Sequence, residues 1–166
     1  MTRWLVTGGA GYIGSHVVQE LVASGREVVI LDDFSAGLER RLTPSVPVVR
    51  GDVRDADAVA AALRANAIDG VVHLAAIKAA GESVEIPLTY YRENIDGTLA
   101  LLEAMQETGV RSLVYSSSAA VYGTPPRNPV VEDDPLQPES PYGETKVVGE
   151  WMVRDAGVAW NLSWSA

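Results

Sequence analysis

The 166-residue chain has no cysteine. That absence excludes a disulfide framework, a thiolate nucleophile and any metal site built on sulfur, and it suits a reducing compartment. Histidine is nearly missing too: only His16 and His73 are present. Without cysteine partners the two make no metal site, so packed or hydrogen-bonded roles are expected for them. Positive charge is scarce. Thirteen Lys and Arg against 22 Asp and Glu leave a formal charge of −9, scattered rather than in blocks. This argues against unaided binding to nucleic acid or to an anionic membrane surface. No apolar run approaches the ~20 residues of a membrane span. The first residues hold one Arg and a short apolar run, which does not read as a signal peptide. Repeats and low-complexity tracts are absent as well. The expectation is a single soluble, cytoplasmic domain over residues 1–166, long enough to bury a core.

What the sequence does contain is an alternation of short apolar runs and helical patterns. Residues 2–7 read as a strand and 12–24 as a helix, with Ile13, Val17, Val18, Leu21 and Val22 on one face and Gly25 as its stop. "EVVIL" (27–31) and "VPVV" (46–49) read as strands, and 55–66 as a helix capped by Asp55. "GVVHLAA" (70–76) is a fourth strand and 94–108 a long helix ended by Gly109. "SLVYSSS" (112–118) is a fifth strand, 141–156 a helix opened by Ser140-Pro141, and 159–166 a sixth strand. Trp151, Trp160 and Trp164 read as core or edge packing. Uninterrupted apolar strands imply a sheet covered on both faces. Alternating units of this kind give an α/β fold, a doubly wound parallel sheet of the Rossmann type with about six strands.

Three patterns fall at the ends of these strands. "TGGAGYIGSH" places Gly8, Gly11 and Gly14 at the first strand-to-helix turn. Phosphate oxygens can approach a backbone there only where no Cβ intervenes, and a helix N-terminus offers free N–H groups and positive partial charge. Asp32, at the end of the second strand, can accept hydrogen bonds from a ribose diol and would repel a 2′-phosphate, so NAD fits better than NADP. Asp33 is the rival for that role. In "SPYGETK", Tyr142 and Lys146 stand four apart on one helix face. A phenol, with an ordinary pKa of about 10, is a poor base, but a neighbouring ammonium favours the phenolate. The same spacing also describes an ordinary surface pair. "YSSSAAVYG" ends the fifth strand, at the sheet edge where ligands of open α/β folds sit.

Together with "LDDF", "GDVRD" and "HLAAIKAAGESVEIPLTYYRENIDGTL", these stretches resemble, in order and over nearly the whole chain, the extended short-chain dehydrogenase/reductase family of NAD-dependent epimerases and dehydratases. "KAAGESV" followed by "PLTYYRENIDGTL" points to the branch that epimerises UDP-glucose and UDP-galactose at C4. The dehydratase branch carries Asp-Glu where this chain has Ala119-Ala120. The resemblance implies an enzyme with NAD as cofactor, a UDP-sugar as substrate and a homodimer paired through helices 94–108 and 141–156. It implies a catalytic trio of Ser118, Tyr142 and Lys146. It assigns the cofactor to Gly8, Gly11, Tyr12, Ile13, Gly14, Asp32, Asp33, Asp52, Val53, Leu74, Ala75, Ala76, Lys78, Asn94 and Ser116, besides Tyr142 and Lys146. No metal is implied. Family members continue past the position of Ala166 into a lobe that grips the sugar nucleotide, so the resemblance implies that this lobe is absent from the 166 residues. It also leaves open an NAD-binding unit without catalysis, or a dehydratase or reductase of the same family.

Overall fold

The computed structural model describes residues 2–166. Six strands form one parallel sheet: β1 (Arg3–Thr7), β2 (Glu27–Asp32), β3 (Val48–Arg50), β4 (Gly70–His73), β5 (Ser112–Tyr115) and β6 (Ser163–Ser165). Their spatial order is β3-β2-β1-β4-β5-β6. The order reverses between β1 and β4, so the crevice between them opens at the strands' C-terminal ends, where doubly wound sheets take ligands. β1 is held on both sides, with Leu5 opposite Val29 of β2 and Val71 of β4.

Helices α1 (Tyr12–Ala23), α2 (Ala56–Ala65), α3 (Ala80–Glu85), α4 (Pro87–Tyr91), α5 (Gly97–Thr108) and α6 (Pro141–Trp160) fill the crossovers. The expected caps are in place. Asp55 accepts from Ala58 N at 3.0 Å and Ser140 from Gly143 N at 3.1 Å, while Gly109 ends α5 in the left-handed conformation. One sheet face carries the larger core, where Leu5, Val29, Val71 and Leu113 meet Leu63, Leu101, Met105 and Val153. On the other face α1 packs Val18 over Val6, Ile30 and Val72.

Several expectations change, and a stretch left unassigned gains structure. The strands expected over 70–76 and 112–118 end at His73 and Tyr115, where the chain turns into loops that line the crevice. The strand expected from 159 starts at Ser163, because α6 runs on to Trp160 and ends at Asn161 in the left-handed conformation. The sheet is not covered on both faces throughout. α1 reaches only β1, β2 and β4, leaving Val114 at 42% exposure, and all of β6 is exposed. Trp151 and Trp164 are likewise more than two-fifths exposed. Finally, residues 80–91 form two short helices, and α4 runs into α5 through a wider π turn at Arg92–Asp96.

Ser140 opens the longest helix with its side chain, so Ser140→Ala should cost about 1 kcal/mol. Urea denaturation should show a lower midpoint at unchanged slope.

Candidate active site

β1 and α1 meet almost without a linker, and the glycines make that junction possible. Gly8 has φ +70°, and a Cβ there would stand 2.8 Å from Ala75 N; a Cβ on Gly14 would stand 2.1 Å from the Gly8 carbonyl oxygen. Gly11 is different. Its added Cβ would meet only the Gly8 oxygen, at 3.1 Å, and would otherwise point into open space. α1 therefore starts directly over the strand end, with the N–H groups of its first turn left without helical partners.

These glycines line a cleft of about 600 Å³, a size suited to a small-molecule ligand. Tyr12 and Ile13 line it beside them, and both are exposed. So do Asp32 and Asp33, and the structure separates the two. Asp32 is buried and accepts from Ala10 N and Phe34 N, both at 2.9 Å. It thereby ties the glycine turn to the end of β2, and a carboxylate's spare lone pairs remain for a ligand. Asp33 is exposed and spends one oxygen on the N–H and hydroxyl of Ser35.

Asp52 and Val53 line the same cleft, but the Asp52 carboxylate is engaged by Arg54 at 2.5 Å. That hydrogen bond holds the acid below the usual carboxylate range. Arg54 also bonds Glu93 at 2.5 Å, so it links two carboxylates of the lining. Leu74, Ala75, Ala76 and Lys78 form the opposite wall. Thr7 shapes that wall, since its buried hydroxyl accepts from Leu74 N and Ala75 N at 3.2 Å each.

Asn94 stands apart from the other expected ligands. It is buried in the π turn and is not among the lining residues. Its amide accepts from Ile77 N and donates to Ile77 O and to Thr145 Oγ1, each at 3.0 Å. These bonds pin the wall at Ile77 to α6.

At the far end Ser118, Tyr142 and Lys146 line one cleft with the glycine turn. Ser118 caps the 3-10 turn Ala119–Tyr122, accepting from Ala120 N at 3.2 Å. A Cβ on Gly143 would lie 2.7 Å from Ala120 O, so the start of α6 packs closely against that turn. This contact joins Ser118 to Tyr142. Lys146 is 5% exposed and donates to Ser116 O at 2.9 Å; Ser116 thus meets the lysine through its carbonyl. Burial pushes the Lys146 ammonium down to about 8. Ser117, between the two, bonds Glu150.

The lining also includes Ser35, Ala36, Gly37, Arg41, Ile77 and Glu93, which sequence reasoning missed. One signal was available at Gly37: a Cβ there would press within 2.6 Å of Asp32 Oδ1. A glycine five residues past the acid marks where the loop folds back over it.

The profile of the NAD dependent epimerase/dehydratase family matches residues 4–165. UDP-glucose 4-epimerase of Lactobacillus helveticus is 45% identical over 162 residues, covering 98% of this chain and 49% of that protein. The enzyme of that name from Bacillus subtilis is 46% identical over 168 residues, covering 97% and 49%. The chain thus spans about half the length of the curated relatives it matches. Among solved structures, UDP-glucose 4-epimerase from Brucella ovis in complex with NAD superposes with a TM-score of 0.96 at 38% identity, over 99% of this chain and 50% of that one. The Thermus thermophilus enzyme, also with NAD, gives 0.94 at 39%, over 98% and 53%.

His73 lies behind the trio, hydrogen-bonded to Thr7 at 2.8 Å and near Thr98 at 3.4 Å. Thr7 Oγ1 accepts from two backbone amides, so its own proton goes to Nδ1. Thr98 donates to Asn94 O at 2.7 Å, so its oxygen receives Nε2–H. Burial, and secondarily the Lys146 charge, pull His73 down to about 3 from 6.5. Between those values the unfolded chain holds the extra proton, so this contribution is complete above pH 6.5 and is lost as pH falls toward 3. Urea midpoints measured across that window should fall with acidification, and His73→Gln should flatten the slope.

Proposed function

The chain belongs to the NAD-dependent epimerase/dehydratase family, and from that membership we propose that it is the cofactor-binding, proton-transferring part of a nucleotide-sugar 4-epimerase. NAD is its resident cofactor and a UDP-sugar of the UDP-glucose/UDP-galactose type its substrate. One observation carries the reading: a single cleft joins the glycine turn at Gly8, Gly11 and Gly14 to Ser118, Tyr142 and Lys146.

The residues present fit NAD. The glycine turn is a cradle that side chains would fill, and the first turn of α1 presents N–H groups to a pyrophosphate. Tyr12 and Ile13 would flank it, and Asp32 would hold the ribose through an acceptor-only group that disfavours a 2′-phosphate. Asp52, Val53, Leu74, Ala75 and Ala76 form the walls, and Lys78 adds positive charge at the rim. Asn94 acts from behind by fixing Ile77. Bound in this cleft, NAD would supply reversible hydride chemistry at sugar C4. The chain's own residues handle the proton and the oxygen. Tyr142 takes the proton from the 4-hydroxyl and gives it back. Ser118 donates to the oxygen that changes state. Lys146 places positive charge 6.0 Å from the Tyr142 ring centre and keeps donors free for the cofactor's ribose.

A cytoplasmic homodimer belongs to the same reading. Leu99 on α5 and Trp151 on α6 are apolar and about half exposed, on the two helices by which the family pairs. Light scattering should report a dimer, and a monomer at tens of micromolar would remove this part.

Calorimetry is the first test: NAD should bind more tightly than NADP. Gly11→Val should weaken NAD at least about tenfold, because beyond one close contact with the Gly8 oxygen its side chain enters the phosphate approach, and circular dichroism should show the fold retained. Turnover is the second. Holding a substrate in place supplies effective molarities of order 10⁵ M and upward, and in the family much of that grip comes from the second half. The 166 residues alone should therefore convert UDP-galactose poorly, and a chain extended by a homologous second half should convert it well. In the extended chain, Tyr142→Phe should lower kcat by about 10²–10⁴-fold while NAD still binds. A chain that binds no NAD would refute the reading.

A further inference from the structure

The Lys146 ammonium is buried, and no carboxylate pairs with it among the described residues. A charge taken out of water without a counter-ion is costly. One of its three N–H donors goes to Ser116 O. The other compensation is aromatic. Nζ lies over the ring of Tyr115, 5.2 Å from its centre, closer than the 6.0 Å to Tyr142. Both distances fall in the range where a ring face attracts a cation.

Tyr115 is held firmly for such a task. It ends β5 at 2% exposure and stacks on His73, with ring centres 5.9 Å apart. Its hydroxyl reaches α6 where a side chain is missing, since a Cβ on Gly149 would sit 2.0 Å from that oxygen. Gly149 lies three residues past Lys146, so one stretch of α6 supplies both the ammonium and the notch for the ring it faces.

We propose that Tyr115 is a positioning residue, holding the Lys146 ammonium at the floor of the cleft through the face of its ring. A carboxylate in that place would take the lysine's donors for itself. A ring attracts the charge without accepting a hydrogen bond in any fixed direction, so the donors stay available to a ligand. The proposal rests on the reading of the cleft as an NAD site. The groups about Lys146 are Tyr142 on its own helix, Tyr115 from β5, His73 from β4 and, behind Tyr142, Tyr90 from α4, while Glu150, one turn along α6, acts on Tyr115. Glu150 is engaged by Ser117, His73 is neutral, and burial pushes the Tyr115 phenol up to about 12. Burial brings the Lys146 change of charge to about pH 8.

The test uses the 166-residue chain, with NAD affinity by calorimetry between pH 6 and 10 and the Lys146 Nζ titration by nitrogen-15 NMR. Tyr115→Phe keeps the ring and should match the parent in both. Tyr115→Leu should weaken NAD at pH 7 by roughly three- to thirty-fold, the span from an exposed to a desolvated cation–ring contact, and should move the Nζ midpoint to lower pH. Should the leucine variant not fold, phenylalanines of increasing fluorination at 115 keep the shape while draining the ring face, and affinity should fall stepwise. A leucine variant or fluorinated series that titrates and binds like the parent would overturn the proposal, as would a phenylalanine variant as impaired as the leucine one. If the parent binds no NAD, the cofactor reading fails, and the Nζ midpoint still judges Tyr115.

Discussion

The architecture depends on how closely α1 can be seated on the end of β1. Gly14 faces the Gly8 carbonyl at a distance that no Cβ tolerates, and Gly8 takes a backbone conformation that side chains disfavour. This approach places a helix N-terminus directly above the switch point of the sheet. Much of the cleft is arranged around it. Thr7, one residue before the turn, shapes the Leu74–Ala75 wall, and Asp32 reaches back to Ala10 inside the turn. The polar ends of β1, β2 and β4 are thus organised about one close contact between backbones.

The buried polar groups follow a common logic. Asp32, His73, Asn94 and Lys146 all lie out of water in an acidic protein, and each is met by backbone amides, carbonyls or hydroxyls rather than by an opposite charge. Backbone partners come with the fold and keep their positions, so these side chains are oriented without carboxylate–ammonium pairs that would neutralise them. At the cleft the ion pairs are those of Arg54 with Asp52 and Glu93, away from these buried groups, and the others, such as Arg64 with Glu107, lie outside its lining.

Much of this was legible in the residues. The strands at 3–7, 27–32 and 70–73 are apolar runs too short for helices, and Ser140, Asp55 and Gly109 mark helix ends by chemistry that local geometry then uses. The glycine turn and the trio converge because strand ends of a parallel sheet share one edge. What escaped had contrary local signals. Trp160-Asn161-Leu162-Ser163-Trp164 alternates as a strand does, although α6 extends to Trp160 and Asn161 turns left-handed to end it. In 80–91, Val84, Ile86 and Leu88 point outward, so no apolar face announces a helix. Arg41, in a short 3-10 turn at Glu39–Arg41, and Ile77, in a loop, enter the lining along paths that no periodicity records.

The π turn at Arg92–Asp96 sets the rotational phase of everything before it. An α-helix advances about 100° per residue, so the widened turn decides which way α4 faces relative to α5. In the observed phase Tyr90 is fully buried, its hydroxyl bonded to Ala79 N at 3.0 Å and to Glu82 at 2.7 Å, and its ring edge-on to Tyr142 at 6.4 Å. Removing one residue from the turn would leave the length of the rod almost unchanged and rotate that whole assembly away from α6. The segment is therefore intolerant of insertion and deletion in a way that substitution at any single position would not reveal. Drift in chain length among related sequences should be confined to the loops and spare this helix.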